Sequence, residues 1–141
     1  MKVLGIGLVV LALVAGIVPM FTDCQSQGRA IVLENGKTIP MKCHWSGTAE
    51  LVVAVPLLVL GILEIINRNY LVIRNLSILG VVLGIFIVLI PTNLIGVCAS
   101  ADMICNSVMR PVMILVGILV IVTNLIGLRY SYVHKDDPAG A

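Results

Sequence analysis

The chain has 141 residues, a formal net charge of +2 and a mean hydropathy of +1.13, with 60% of its residues hydrophobic and 11% charged. Soluble domains carry roughly 45–50% apolar and about 25% charged residues, so this composition excludes an ordinary water-soluble domain and points to a membrane protein. Lys and Arg are few and scattered, with no aromatic interleaving, which excludes nucleic acid as a partner.

Four apolar segments follow one another: Val3–Phe21, Ala49–Ile66, Leu76–Val97 and Pro111–Leu128. Each is close to the roughly 20 residues that cross the hydrocarbon core as a helix. Their apolar residues are continuous rather than alternating, and a lipid-exposed backbone must satisfy its own hydrogen bonds, so all four are predicted as transmembrane helices. The expected fold is an all-α membrane protein, a four-transmembrane-helix bundle forming one domain over residues 1–141.

The first segment starts after Met1-Lys2, as a signal sequence would. It ends in Pro19-Met20-Phe21-Thr22-Asp23 without an A-x-A pattern, and Thr22-Asp23-Cys24 is a poor lipoprotein box, so it is read as an uncleaved first helix. An even number of spans puts both termini on one side. That side collects Lys2, Arg68, Arg74, Arg129 and Lys135, and the other Arg29, Lys37, Lys42 and Arg110, a small bias. Cys24, Cys43, Cys98 and Cys105 all fall opposite the termini, which fits an oxidising exterior. The expected location is a bacterial plasma membrane with both termini cytoplasmic.

Between the first two spans, Asn35-Gly36 is a strong hairpin signal. A two-residue turn there pairs Glu34 with Lys37, Leu33 with Thr38 and Val32 with Ile39, giving a small extracytoplasmic β-hairpin cap. Pro40 keeps its strand at an edge. Two strands alone are marginal in water, and Cys24 and Cys43 flank the ribbon as its natural brace.

Four cysteines allow three pairings. Bonds within each loop, Cys24–Cys43 and Cys98–Cys105, are favoured over bonds between loops, and structural disulfides over reactive ones. A thiol-redox role has the outline of quinone-linked thiol oxidases in its favour and the absence of C-x-x-C against it. A metal site from Cys43, His44 and Glu50, with Cys98 or Cys105 as a fourth ligand, rests only on one adjacent Cys-His pair. No metal or cofactor is expected.

The stretch Met41–Glu50, MKCHWSGTAE, concentrates polar chemistry in His44, Trp45 and Glu50. Trp45 suits the membrane interface, and His44 a polar interfacial position that can titrate near neutrality. If Ser46 or Gly47 caps the second helix, Glu50 lies in its first turn and complements the dipole; otherwise it makes a polar contact inside the bundle. Glu64 can reach the cytoplasmic surface. Gly80 and Gly84 form a G-x-x-x-G packing face, and Pro91 kinks the third helix or ends it early.

Met41-Lys42-Cys43-His44-Trp45-Ser46, then Ala49-Glu50, resembles the signature of a bacterial family of small four-span membrane proteins catalogued as a domain of unknown function. Leu89-Ile90-Pro91-Thr92, Leu94-Ile95-Gly96-Val97-Cys98 and Met103-x-Cys105 carry the resemblance through the second half. The family has no assigned activity. Its members accompany transporter permeases, so the resemblance implies an accessory role. No catalytic constellation is visible, and the leading expectation is a non-enzymatic protein with a disulfide-braced cap. Its expected partners are the lipid bilayer and a membrane protein, such as an ABC-type transporter or a second copy. The alternatives are thiol redox at the outer cysteines, or ion, proton or metal handling by His44 and Glu50.

Overall fold

The computed structural model describes residues 2–24, 28, 31–67, 69–98, 100 and 102–133. Arg29, Arg68 and Lys135, used in the charge comparison, lie outside the described residues. Four long helices dominate: α1 (Lys2–Thr22), α2 (Lys42–Ile66), α3 (Tyr70–Leu89) and α4 (Arg110–Val133). Two π-turns, Ile90–Leu94 and Cys105–Met109, extend α3 and α4 toward the same end of the bundle. All four helical columns are long and apolar enough to cross a membrane, and the chain is a multi-pass membrane protein.

α2 begins two turns before Ala49. Met41 is extended at φ −72° and ψ 164°, and the helix winds from Lys42 onward. Nothing in Cys-His-Trp-Ser-Gly-Thr-Ala-Glu breaks a helix. Its polar residues only make it look like loop on hydropathy. α3 likewise begins early, where the Asn69 side chain accepts the Leu71 N–H at 3.0 Å and caps the first turn. At its far end Pro91 ends regular α-helix, as expected, by widening the last turn rather than breaking it. The Ile95 and Gly96 N–H groups both donate to the Ile90 carbonyl, at 3.1 and 3.0 Å, and Gly96 takes the positive φ of +75° that closes such an end.

The helices pack as two hairpins, α1 along α2 and α3 along α4, which meet more lightly through α1/α4 and α2/α3. Small residues set both hairpin seams. A Cβ on Gly61 would stand 3.0 Å from the Val9 amide nitrogen, and one on Gly117 would stand 3.0 Å from the Gly84 carbonyl. Gly80 and Gly84 also lie in the α3/α4 seam, Gly80 directly over the Asn124 side chain. Such close approach is how helices associate where lipid removes the hydrophobic drive. Leu8, Leu57, Ile87, Met109, Met113 and Val120 fill the centre, while Ile6, Val10, Val55, Ile78 and Ile118 face outward as lipid-facing residues do.

The ribbon forms, one register step from expectation. Strands β1 (Ile31–Val32) and β2 (Thr38–Ile39) pair Ile31 with Ile39 and Val32 with Thr38. The Leu33 N–H donates to the Lys37 carbonyl and the Gly36 N–H to the Leu33 carbonyl, both at 2.9 Å, so the loop has three residues, Glu34 to Gly36. Gly36, at φ +77°, supplies the left-handed position that a three-residue hairpin needs. Both strands are exposed on both faces, so this is a projecting ribbon rather than a lid on the helices.

Candidate functional site, a four-sulfur cluster

Each cysteine sits where a different segment reaches the same end of the bundle. Cys24 follows α1, Cys43 is the second residue of α2, Cys98 follows the π-turn after α3, and Cys105 opens the π-turn into α4. The four Sγ atoms all lie within 4.8 Å of one another. Cys24 and Cys43 are paired as a disulfide, with Cα atoms 6.3 Å apart, inside the usual range for such bonds. Cys98 and Cys105 stand as thiols, against the expectation of a second brace. Both approach sulfurs of the other loop: Cys105 is 3.3 Å from Cys24, and Cys98 is 3.6 Å from Cys43 and 3.8 Å from Cys24. The two loops therefore build one shared centre instead of two separate clips.

Access is one-sided. Cys24, Cys43 and Cys105 are buried, whereas Cys98 is partly exposed. It lines a cleft of about 350 Å³ together with Pro91, Thr92, Asn106 and Arg110.

His44 Nδ1 lies 2.9 Å from Asp23 Oδ2. Each member of this pair is the chain neighbour of one disulfide cysteine. Asp23 escaped sequence reading, although the paired dipeptides Asp23-Cys24 and Cys43-His44 were a usable signal. Trp45 is exposed at the start of α2, its ring edge-on to His44 with centroids 6.0 Å apart, a position that suits an interface anchor.

Glu50 is not a first-turn residue, because α2 starts at Lys42. It is fully buried, and neither of its carboxyl oxygens has a hydrogen-bond partner among the described residues. Ser46, one turn earlier on the same buried face, has an equally unpartnered hydroxyl. Glu50 therefore lies inside the bundle rather than at a helix cap, without the polar contact expected there among the described residues. Neither His44 nor Glu50 joins the sulfur group, so the mixed ligand set read from the sequence is not assembled among the described residues. Glu64 is also buried, and accepts from Ser77 Oγ at 3.4 Å instead of reaching the surface. Asn124 was missed altogether; it donates to the Val120 carbonyl at 2.8 Å, and its own oxygen has no partner among the described residues.

A profile of the family described as "Domain of unknown function (DUF4418)" matches residues 3–130, and the chain belongs to that family. No curated protein and no solved structure matches it.

Proposed function

We propose that this member of the DUF4418 family is a membrane-resident thiol–disulfide exchange protein whose working centre is the four-cysteine cluster at the outer face. The observation that carries this reading is the convergence of a disulfide and two thiols within 4.8 Å, with one thiol opening onto a cleft. A purely structural brace needs no unbonded thiols packed against it. Thiolate attack on a disulfide sulfur requires this kind of proximity and access.

The exchange balances as follows. The Cys98 thiolate attacks one sulfur of a disulfide on an extracytoplasmic partner protein, the partner's S–S bond breaks, and its second sulfur leaves and takes up a proton. Deprotonated Cys105 then attacks Cys98, forming Cys98–Cys105 and releasing the partner as a dithiol. The partner gains two electrons and two protons, and the Cys98/Cys105 pair loses them. Inside the cluster, Cys105 at 3.3 Å can also attack Cys24, which transfers the bond and frees Cys43 beside Cys98. The expected partner-binding role is kept in this reading, since exchange needs a protein that docks over the Cys98 cleft. With the cysteines outside, both termini face the cytoplasm.

The test uses glutathione disulfide as the probe on the full-length protein in native membranes. Cys105→Ser should accumulate a Cys98–glutathione adduct that the wild type resolves, and Cys98→Ser should lose exchange by at least about tenfold. A Cys98 that stays unmodified, beside a Cys24–Cys43 bond that resists dithiothreitol, would sink the proposal.

A further inference from the structure

The cluster also has the shape of a coordination site. We propose that the fully reduced protein binds one thiophilic d¹⁰ cation, Zn(II) in the first instance, through Cys24, Cys43, Cys98 and Cys105. The positions of the four sulfurs support this site independently of the exchange reading. Four sulfurs about 2.3 Å from a zinc ion stand at the corners of a tetrahedron with edges of about 3.8 Å. The Cys24–Cys98 and Cys43–Cys98 separations are already 3.8 and 3.6 Å, and Cys24–Cys105 is 3.3 Å. No pair exceeds 4.8 Å.

The donor set selects the ion. Four sulfurs and no oxygen ligand favour soft and borderline metals over Mg²⁺ or Ca²⁺. Three of the four cysteines are buried, which suits a closed four-coordinate site with no position left for substrate. Four thiolates around Zn(II) leave a net negative charge, and Arg110 stands on the wall of the cleft beside Cys98 to offset it. That cleft is also the entry path. One ion would join the ends of all four helical columns, and so lock the two lightly packed hairpins together at this end.

Loading requires opening the Cys24–Cys43 bond. Dithiothreitol supplies the two electrons and two protons and becomes its cyclic disulfide; the metal then displaces the four thiol protons. Oxidation of any two ligands releases the ion, so the site holds metal only when reduced.

The decisive experiment adds Co(II) to full-length protein in detergent, reduced and freed of dithiothreitol without air. The expected result is one Co(II) per chain with the visible bands and sulfur-to-metal charge transfer of a tetrahedral tetrathiolate, displaced by Zn(II). Cys98→Ser, the substitution at the least buried ligand, should lose that spectrum while keeping its helical circular dichroism. Four alkylatable thiols with no thiolate-to-cobalt bands would overturn the proposal, as would a spectrum unchanged in Cys98→Ser. The glutathione assay is independent: exchange without cobalt binding removes this inference alone, and cobalt binding without exchange removes the other alone.

Discussion

Glu50 shows what one residue can reveal about this bundle. Its two oxygens are buried on the inner face of α2 with no partner among the described residues, and Ser46, one turn earlier, is in the same condition. An unmade hydrogen bond at a buried group costs about 1–3 kcal/mol. Glu50→Leu, of similar bulk, is therefore expected to raise the thermal unfolding midpoint in detergent, followed by circular dichroism, with the sulfur chemistry intact. Glu50→Lys, which puts an ammonium group in the same place, should prevent folding. A Glu50→Leu protein less stable than wild type would show that the carboxyl has a partner in the folded protein. Cys98 and Cys105 differ in the same residue-by-residue way. Cys105 is 1% exposed and Cys98 borders a cleft, so a bulky maleimide should modify Cys98 much faster in folded protein, and both at similar rates once the chain is denatured.

The helices are matched in pairs by glycine. At Gly61 a Cβ meets the backbone of α1, 3.0 Å from the Val9 nitrogen and 3.2 Å from the Gly5 carbonyl, and backbone cannot swing aside. Gly61→Ala should therefore destabilise by about 1–3 kcal/mol, as overpacking does, although alanine is the better helix former by about 1 kcal/mol. Gly7 is the control: a Cβ there meets nothing within 4 Å, and Gly7→Ala should be neutral or stabilising in the same thermal assay. The ribbon obeys a different rule. Gly36→Ala opposes a φ of +77° and should loosen the turn, yet leave the unfolding midpoint of the helices nearly unchanged, because both strands are exposed.

At the scale of the whole molecule, the two hairpins are each tightly seamed but share little contact, and the sulfur cluster lies where all four columns come together. A bond from Cys24 to Cys105 would cross from the first hairpin to the second. A protein carrying both Cys43→Ser and Cys98→Ser is expected to form that bond on mild oxidation, since these two sulfurs are 3.3 Å apart. Mass-spectrometric mapping of unreduced peptides checks it. Two free thiols after oxidation would mean that the hairpins hold these sulfurs further apart in the membrane than the cluster requires.

Read alone, the sequence determined the four spans and the existence of the ribbon, though its turn takes three residues, Glu34 to Gly36, where two were expected. Apolar continuity over about 20 residues and turn chemistry at glycine are local properties. It also determined that all four cysteines share one face, because that follows from counting spans. The boundaries of α2 and α3 were less legible: Cys43 to Glu50 reads as loop to hydropathy but winds as helix, with Ser46 and Glu50 turned inward and Trp45 and Thr48 outward. Only the tertiary structure decided that Cys98 and Cys105 pack against Cys24 and Cys43, that Glu50 and Glu64 are buried, and that Asp23 meets His44. Those facts depend on which faces of α1, α2 and α4 turn toward one another. Helix rotation in a bundle is set by the fit of small residues such as Gly61 and Gly117 against a neighbouring backbone, a relation between segments that no single segment encodes.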